Sequence, residues 1–329
     1  MRTGSTRACH TGARVDRARK HLDETLLIFY LWPARQKART VALAEALSLL
    51  GDLHARASEK GPLSEQGGLF WILLPSEHLE AARLRLPRLG YTAAVDWLEP
   101  VSEPVRRSKH MRSVAKDDVQ WRHRWYRRHR LFEEDAEAIR EGAPDRRTFL
   151  LETPTGNVRP VTGYRGDGGD LSRRGLSVLD ARLLVNLVAA EPGSLFLDPF
   201  AGAGGLVIEA LASNYEVVSA DWDPVLRHGL AHLGARHLVA DARQLPFPDE
   251  TFDAIATEPP YQEEAIPVVI EALHELYRVL KRGRRLAVFC AASQADAFRQ
   301  QAAAPGLSVV LDATIDRKGL DAVVLVWRK

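Results

Sequence analysis

The stretch Leu195-Phe196-Leu197-Asp198-Pro199-Phe200-Ala201-Gly202-Ala203-Gly204-Gly205 limits the possible folds more than any other part of the chain. An apolar run ends in an acidic residue, passes through a glycine-rich turn and continues as an apolar helix pattern. That succession describes a buried parallel strand feeding a helix. The pattern then recurs. Strands are expected at 194–198, 216–220, 236–240, 252–257, 285–290, 307–311 and 322–327, with helices between most of them, notably 205–213 and 266–280. Another helix, Val178 to Ala190, precedes the first strand. Alternating strands and helices build a doubly wound α/β sheet covered on both faces. A short Asp-Arg-Lys-Gly turn at 316–319 joins the last two strands, which should form an antiparallel hairpin at the end of a parallel sheet.

The first hundred residues read differently. Apolar runs at 26–31 and 69–74, and a third at 91–95, predict strands around helices at 41–50 and 76–86. The expected organisation is a disordered leader over 1–20, a small α+β module over 21–100, a basic and aromatic linker over 101–175 and the α/β domain over 176–329. The leader is rich in Arg and lacks the apolar core of a signal peptide, although an Arg-rich transit peptide has similar composition. No apolar run is long enough to span a membrane as a helix. Cys9 and Cys290 have no metal-ligand spacing and are expected to be reduced, as in a cytoplasmic protein without a bound metal.

Ligands of open α/β sheets bind beyond the C-terminal ends of the strands. Four such ends carry candidate chemistry. The first is Asp198-Pro199-Phe200, where Gly202, Gly204 and Gly205 let a ligand approach the backbone. The spacing is G-x-G-G, which departs from the G-x-G-x-x-G dinucleotide fingerprint. The second is Asp221, placed to accept both hydroxyls of a ribose, with Trp222 either flanking an adenine or packing inward. The third is Asp241-Ala242, where Asp241 either accepts from an adenine amino group or caps the following turn. The fourth is Glu258-Pro259-Pro260-Tyr261. The amino group on a nucleobase is a poor nucleophile because its lone pair is delocalised into the ring. A carboxylate and a rigidly held carbonyl can accept its two hydrogens, and an aromatic ring can stack on the base.

Charge adds a possible partner. Residues 1–150 carry 27 Lys and Arg against 20 Asp and Glu, whereas the rest of the chain is net acidic. Within 105–130 there are ten basic residues and two Asp. Trp121, Arg122, Arg124, Arg127, Arg128 and Arg130 interleave cations with rings, which suits phosphate contact and base stacking in RNA. The alternative is a solvated helix face with aromatic anchors.

Two segments carry a family resemblance: Arg173-Arg174-Gly175-Leu176-Ser177-Val178-Leu179-Asp180-Ala181-Arg182-Leu183-Leu184-Val185-Asn186-Leu187-Val188, and Asp198 through Ala210. With the Pro-Pro-Tyr elbow, they resemble S-adenosylmethionine (SAM)-dependent amino-methyltransferases, especially the THUMP-associated tRNA guanine-N2 methyltransferases and related RNA methylases. The resemblance covers about 170–290. It implies a Rossmann-like class I methyltransferase sheet and a divergent THUMP-like RNA-binding module. It also implies SAM contacts at Asp198, Gly202, Gly204, Asp221 and Asp241, with the base held by residues 258–261. The expected reaction is methyl transfer to an exocyclic amine, most fittingly guanine N2 in tRNA. A DNA amino-methyltransferase and a non-catalytic RNA-binding relative are the alternatives. In the family the elbow begins with Asp or Asn and is commonly followed by Gly, where this chain has Glu258 and Gln262.

Overall fold

The computed structural model describes residues 24–108, 111–114, 116–136, 148–152, 158–162, 176–231, 233–302, 306–317 and 320–329. The expected leader, 1–20, and the 163–175 part of the connector lie outside the described residues.

The amino-terminal module contains β1 (Glu24–Leu31), α1 (Arg39–Leu50), β2 (Arg56–Ser58), β3 (Leu69–Pro75), α2 (Leu79–Arg85) and β4 (Thr92–Val101). It does not end there. After the short pair β5 (Arg106–Ser108) and β6 (Met111–Val114), strands β7 (Asp118–Trp121) and β8 (Arg124–Glu133) return to the same sheet. Its order is β2-β3-β1-β4-β8-β7. The span expected as linker therefore supplies two strands of the module, and the Trp121–Arg130 segment is a hairpin, neither a linker nor a helix face. Its sequence concealed this because both faces of β8 are half-exposed and polar side chains point both ways. A separate pair, β9 (Thr148–Glu152) and β10 (Val158–Thr162), follows.

The second module begins with α3 (Val178–Leu187), whose N-cap Ser177 accepts a hydrogen bond from Asp180 N. Then come β11 (Leu195–Asp198), α4 (Gly205–Ala212), β12 (Glu216–Asp221), α5 (Arg227–Ala231), β13 (Arg236–Val239) and β14 (Phe252–Thr257). The last elements are α6 (Ile266–Val279), β15 (Leu280–Ala291), α7 (Ala292–Ala302), β16 (Ser308–Arg317) and β17 (Leu320–Arg328). The sheet order is β13-β12-β11-β14-β15-β17-β16. Strands β11 to β15 pair in parallel, and β17 runs antiparallel between β15 and β16. This is the doubly wound class I arrangement with the expected terminal hairpin. Because β12 lies on one side of β11 and β14 on the other, the chain changes direction there and opens a crevice at their C-terminal ends.

The two modules share an apolar core. One cluster runs from Leu27, Phe29, Phe70 and Ile72 through Val41 and Ala46 of α1 to Leu183, Leu184 and Leu187 of α3 and Phe196 of β11. Gly90 lies at this joint. A Cβ there would meet Leu179 O at 2.3 Å, so any larger residue would push the modules apart. Glu45 accepts from Gly90 N at 2.6 Å, Tyr91 N at 3.1 Å and Asn186 Nδ2 at 2.8 Å. Arg35 pairs with Asp180 at 2.8 Å, and Tyr91 donates its hydroxyl to the same carboxylate.

Candidate active site

Asp198 ends β11 at the crevice and is 1% exposed. Its Oδ1 accepts from Thr257 Oγ1 at 3.0 Å and from Phe200 N at 3.3 Å. Thr257, itself buried, is the last residue of β14, so one side-chain bond ties the two strand ends that flank the crevice. Burial pushes the Asp198 carboxyl up to about 8, helped by the charges of Asp221 and Glu258 and opposed by its two donors.

After Pro199 and Phe200 the loop turns sharply. Gly202 and Gly204 have φ of 50° and 82°, the left-handed region that glycine enters without strain. A Cβ at Gly202 would meet nothing closer than Phe200 O at 3.9 Å, so this edge of the loop is open to an approaching group. Gly204 is the N-cap of α4.

Asp221 ends β12 and is nearly buried. Its Oδ2 accepts from Gly202 N at 2.9 Å and its Oδ1 from Asp223 N at 3.0 Å, so this carboxylate also shapes the glycine loop. Asp223 caps the following turn by accepting from Val225 N at 2.9 Å. Trp222 resolves in favour of the solvent side, being 77% exposed beside Asp221. Asp241 accepts from Arg243 N at 2.9 Å and pairs with its guanidinium, which holds its carboxyl below the usual range. It therefore does cap its turn, while Ala242 beside it is buried.

These residues fit an adenosyl group. An open glycine edge, a carboxylate at the end of β12 and an exposed indole next to it offer backbone access, a ribose acceptor and a flat apolar surface.

The elbow follows β14 directly. Pro259 is buried, Pro260 is exposed, and Glu258 and Tyr261 are half-buried. Tyr261 donates its hydroxyl to Glu258 Oε1. The Glu258 carboxylate thus reaches the phenol hydroxyl of its own elbow. The Pro260 carbonyl accepts from Gln294 Nε2 at 2.8 Å. Two contributors thus escaped the sequence reading. Thr257 could have been noticed beside the elbow, whereas nothing in the sequence links Gln294 to Pro260.

The basic segment lies elsewhere, on the amino-terminal sheet. Strand alternation divides it: Arg124, Tyr126, Arg128 and Arg130 share one face, with Arg127 and His129 on the other. Arg127 pairs with Asp118, Arg128 with Asp96 and Asp117, and Arg130 with Asp96 and Glu133. Arg122 and His123 form the hairpin tip with φ of 48° and 63°, and the Arg122 guanidinium lies 4.4 Å from the Trp121 ring centroid. Arg122 and Arg124 are exposed. Among the described residues there is no group of three or more His, Cys, Asp or Glu able to hold a metal, and no helix long and apolar enough to cross a membrane.

Residues 197–288, from β11 into β15, match the family model described as a methyltransferase domain. The chain is 42% identical over 105 residues to a tRNA (guanine(10)-N2)-dimethyltransferase of Methanothermobacter thermautotrophicus, covering 30% of this chain and 31% of that protein. It is 29% identical over 199 residues to a tRNA (guanine(6)-N2)-methyltransferase of Thermus thermophilus, covering 55% of each. The matches thus span about a third and about half of these relatives. A demethylmenaquinone methyltransferase of Thermus thermophilus is also similar, at 38% over 115 residues, covering 32% of this chain and 51% of that protein, so the domain alone does not select a methyl acceptor. Among solved structures, TrmN from Thermus thermophilus aligns over 93% of this chain and 99% of its own, with 19% identity and a TM-score of 0.47.

Proposed function

We propose that the protein is a SAM-dependent RNA methyltransferase acting on an exocyclic base amine, with guanine N2 of tRNA as its substrate, and that it works in the cytoplasm. The observation that carries this reading is the Glu258–Tyr261 elbow at the end of β14, tied through Thr257 to Asp198 beside the glycine loop. A carboxylate, a rigid carbonyl and a ring at that position suit a planar amine.

In this reading Asp198, Pro199, Phe200, Gly202 and Gly204 line the cofactor's methionine side. Asp221, Trp222, Asp241 and Ala242 line its adenosine side. The cofactor supplies an electrophilic methyl group on a sulfonium. Tyr261 stacks on the base, a contact worth ~1–3 kcal/mol. Glu258 and the Pro259 carbonyl accept the two amine hydrogens and point the nitrogen lone pair at the methyl group. With the methyl donor bound, transfer of its methyl to the amine would leave a surplus amine proton, which Glu258 or water would take. A base inside a helix must first leave its stack.

For RNA contact, the hairpin tip is favoured over the rest of the basic segment. Trp121, Arg122 and Arg124 present a ring and two exposed cations, whereas Arg127, Arg128 and Arg130 are engaged with acidic neighbours. Incubation with radiolabelled SAM and total tRNA, followed by mass spectrometry of the nucleosides, tests the function. The expected product is N2-methylguanosine, lost in Glu258→Ala. SAM binding without label in any RNA would reject the catalytic reading and leave a non-catalytic relative. Recovery of transfer in Glu258→Asp would then trace the loss to the extra methylene.

A further inference from the structure

We propose that Gln294 is a positioning residue for the base-binding elbow, an inference that rests on the function proposed above. Gln294 is the third residue of α7, which follows β15 on the sheet neighbouring β14. It is 1% exposed. Its Oε1 accepts from Ala291 N at 3.2 Å, and its Nε2 donates to the Pro260 carbonyl at 2.8 Å.

The first bond is ordinary helix capping, in which a side chain at the third position reaches back to the N-cap amide. That job needs only an acceptor. A glutamate would do it equally well and would also suit the positive end of the helix dipole. The amide is required only by the second bond, because a carboxylate has no hydrogen to donate to Pro260. The proline ring already fixes φ at residue 260, so only ψ separates the directions of the Pro259 and Pro260 carbonyls. Pinning the Pro260 carbonyl removes that remaining swing. It also occupies this acceptor, so that the neighbouring Pro259 carbonyl is the one presented to the amine. Gln294 acts through the elbow, which it reaches at the Pro260 carbonyl.

Gln294→Glu separates the two bonds once its carboxyl is ionised, keeping the cap and removing the donor, so its kcat is compared with wild type on the alkaline side of the pH profile. Measured with tRNA and SAM, it should lower kcat at least tenfold while the KM for RNA stays within threefold. Its SAM affinity, read by calorimetry, should stay within twofold of wild type. Lowering the pH should recover part of the lost kcat relative to wild type, because the protonated carboxyl donates again. A purely capping role predicts an unchanged kcat in Gln294→Glu, and that result would overturn the inference. If Gln294→Glu loses SAM affinity, the uncharged Gln294→Met, which removes the cap and the donor together, is read instead: kcat loss at retained SAM affinity and unchanged Tm supports the proposal, and unchanged kcat overturns it. A wild-type protein that transfers no methyl to RNA would sink the proposed function and this inference with it, an outcome distinct from an active wild type with fully active variants.

Discussion

Asp198 is an acid that the fold keeps from ionising easily. Its carboxyl titrates at about 8, through burial first and the nearby Asp221 and Glu258 second. A cationic ligand at the glycine loop favours the ionised form, so binding SAM should release a proton. The affinity should rise with pH between 6 and 8, by up to about tenfold per unit, and flatten above the carboxyl's own pKa. Calorimetry in buffers of different ionisation enthalpy measures that proton directly. The release should vanish in Asp198→Asn, and a pH-independent affinity in the wild type would contradict the assignment. Legibility at this scale was uneven. Asp198, Asp221 and the elbow could be read because each follows an apolar strand. That Asp221 also holds the glycine loop, and that Asp241 is tied to Arg243, depends on neighbours a sequence pattern does not supply.

At the scale of elements, β7 and β8 show how a strand sorts a run of charges. A sequence window treats Trp121 to Arg130 as one basic patch, but the pleat sends alternate residues to opposite faces and pairs several with Asp96 and Asp118. The tip keeps two exposed cations on a turn whose two central residues, neither of them glycine, occupy the left-handed region, a conformation costing roughly 1–2 kcal/mol each. Combined Arg122→Ala and Arg124→Ala should weaken tRNA binding and flatten its dependence on salt, lowering the slope of log K against log salt by about 1 to 2. Arg127→Ala should change that slope less, since its guanidinium is held by Asp118. Fluorescence anisotropy with labelled tRNA at several salt concentrations checks both expectations.

At the scale of the whole molecule, the joint between modules depends on Glu45. Its carboxylate accepts three donors, two from the turn at Gly90 and Tyr91 and one from Asn186 on α3. Removing it leaves buried donors without an acceptor, so Glu45→Ala should cost about 2–4 kcal/mol, read by denaturant unfolding. Burial raises the Glu45 pKa to about 7 despite those donors. A carboxyl raised in the folded state contributes stability that is complete below its unfolded pKa and lost as pH rises through the folded value. Asp198 acts in the same sense up to about 8. Wild-type Tm should therefore fall between pH 5 and pH 8, and fall less in Glu45→Ala, which has no such group to lose.

The sequence alone determined the α/β sheet, its terminal hairpin, the glycine loop and the Pro-Pro-Tyr elbow. These follow from local periodicity and from residue types that only certain backbone turns accept. Tertiary structure alone decided that β7 and β8 complete the amino-terminal sheet, that Gly90 lets the modules close on each other, and that Gln294 holds the elbow. Each of those contacts joins residues distant in the chain, such as Gln294 and Pro260 or Gly90 and Leu179. Hydrophobic pattern specifies which face of an element is buried. It carries no information about which remote element will cover that face.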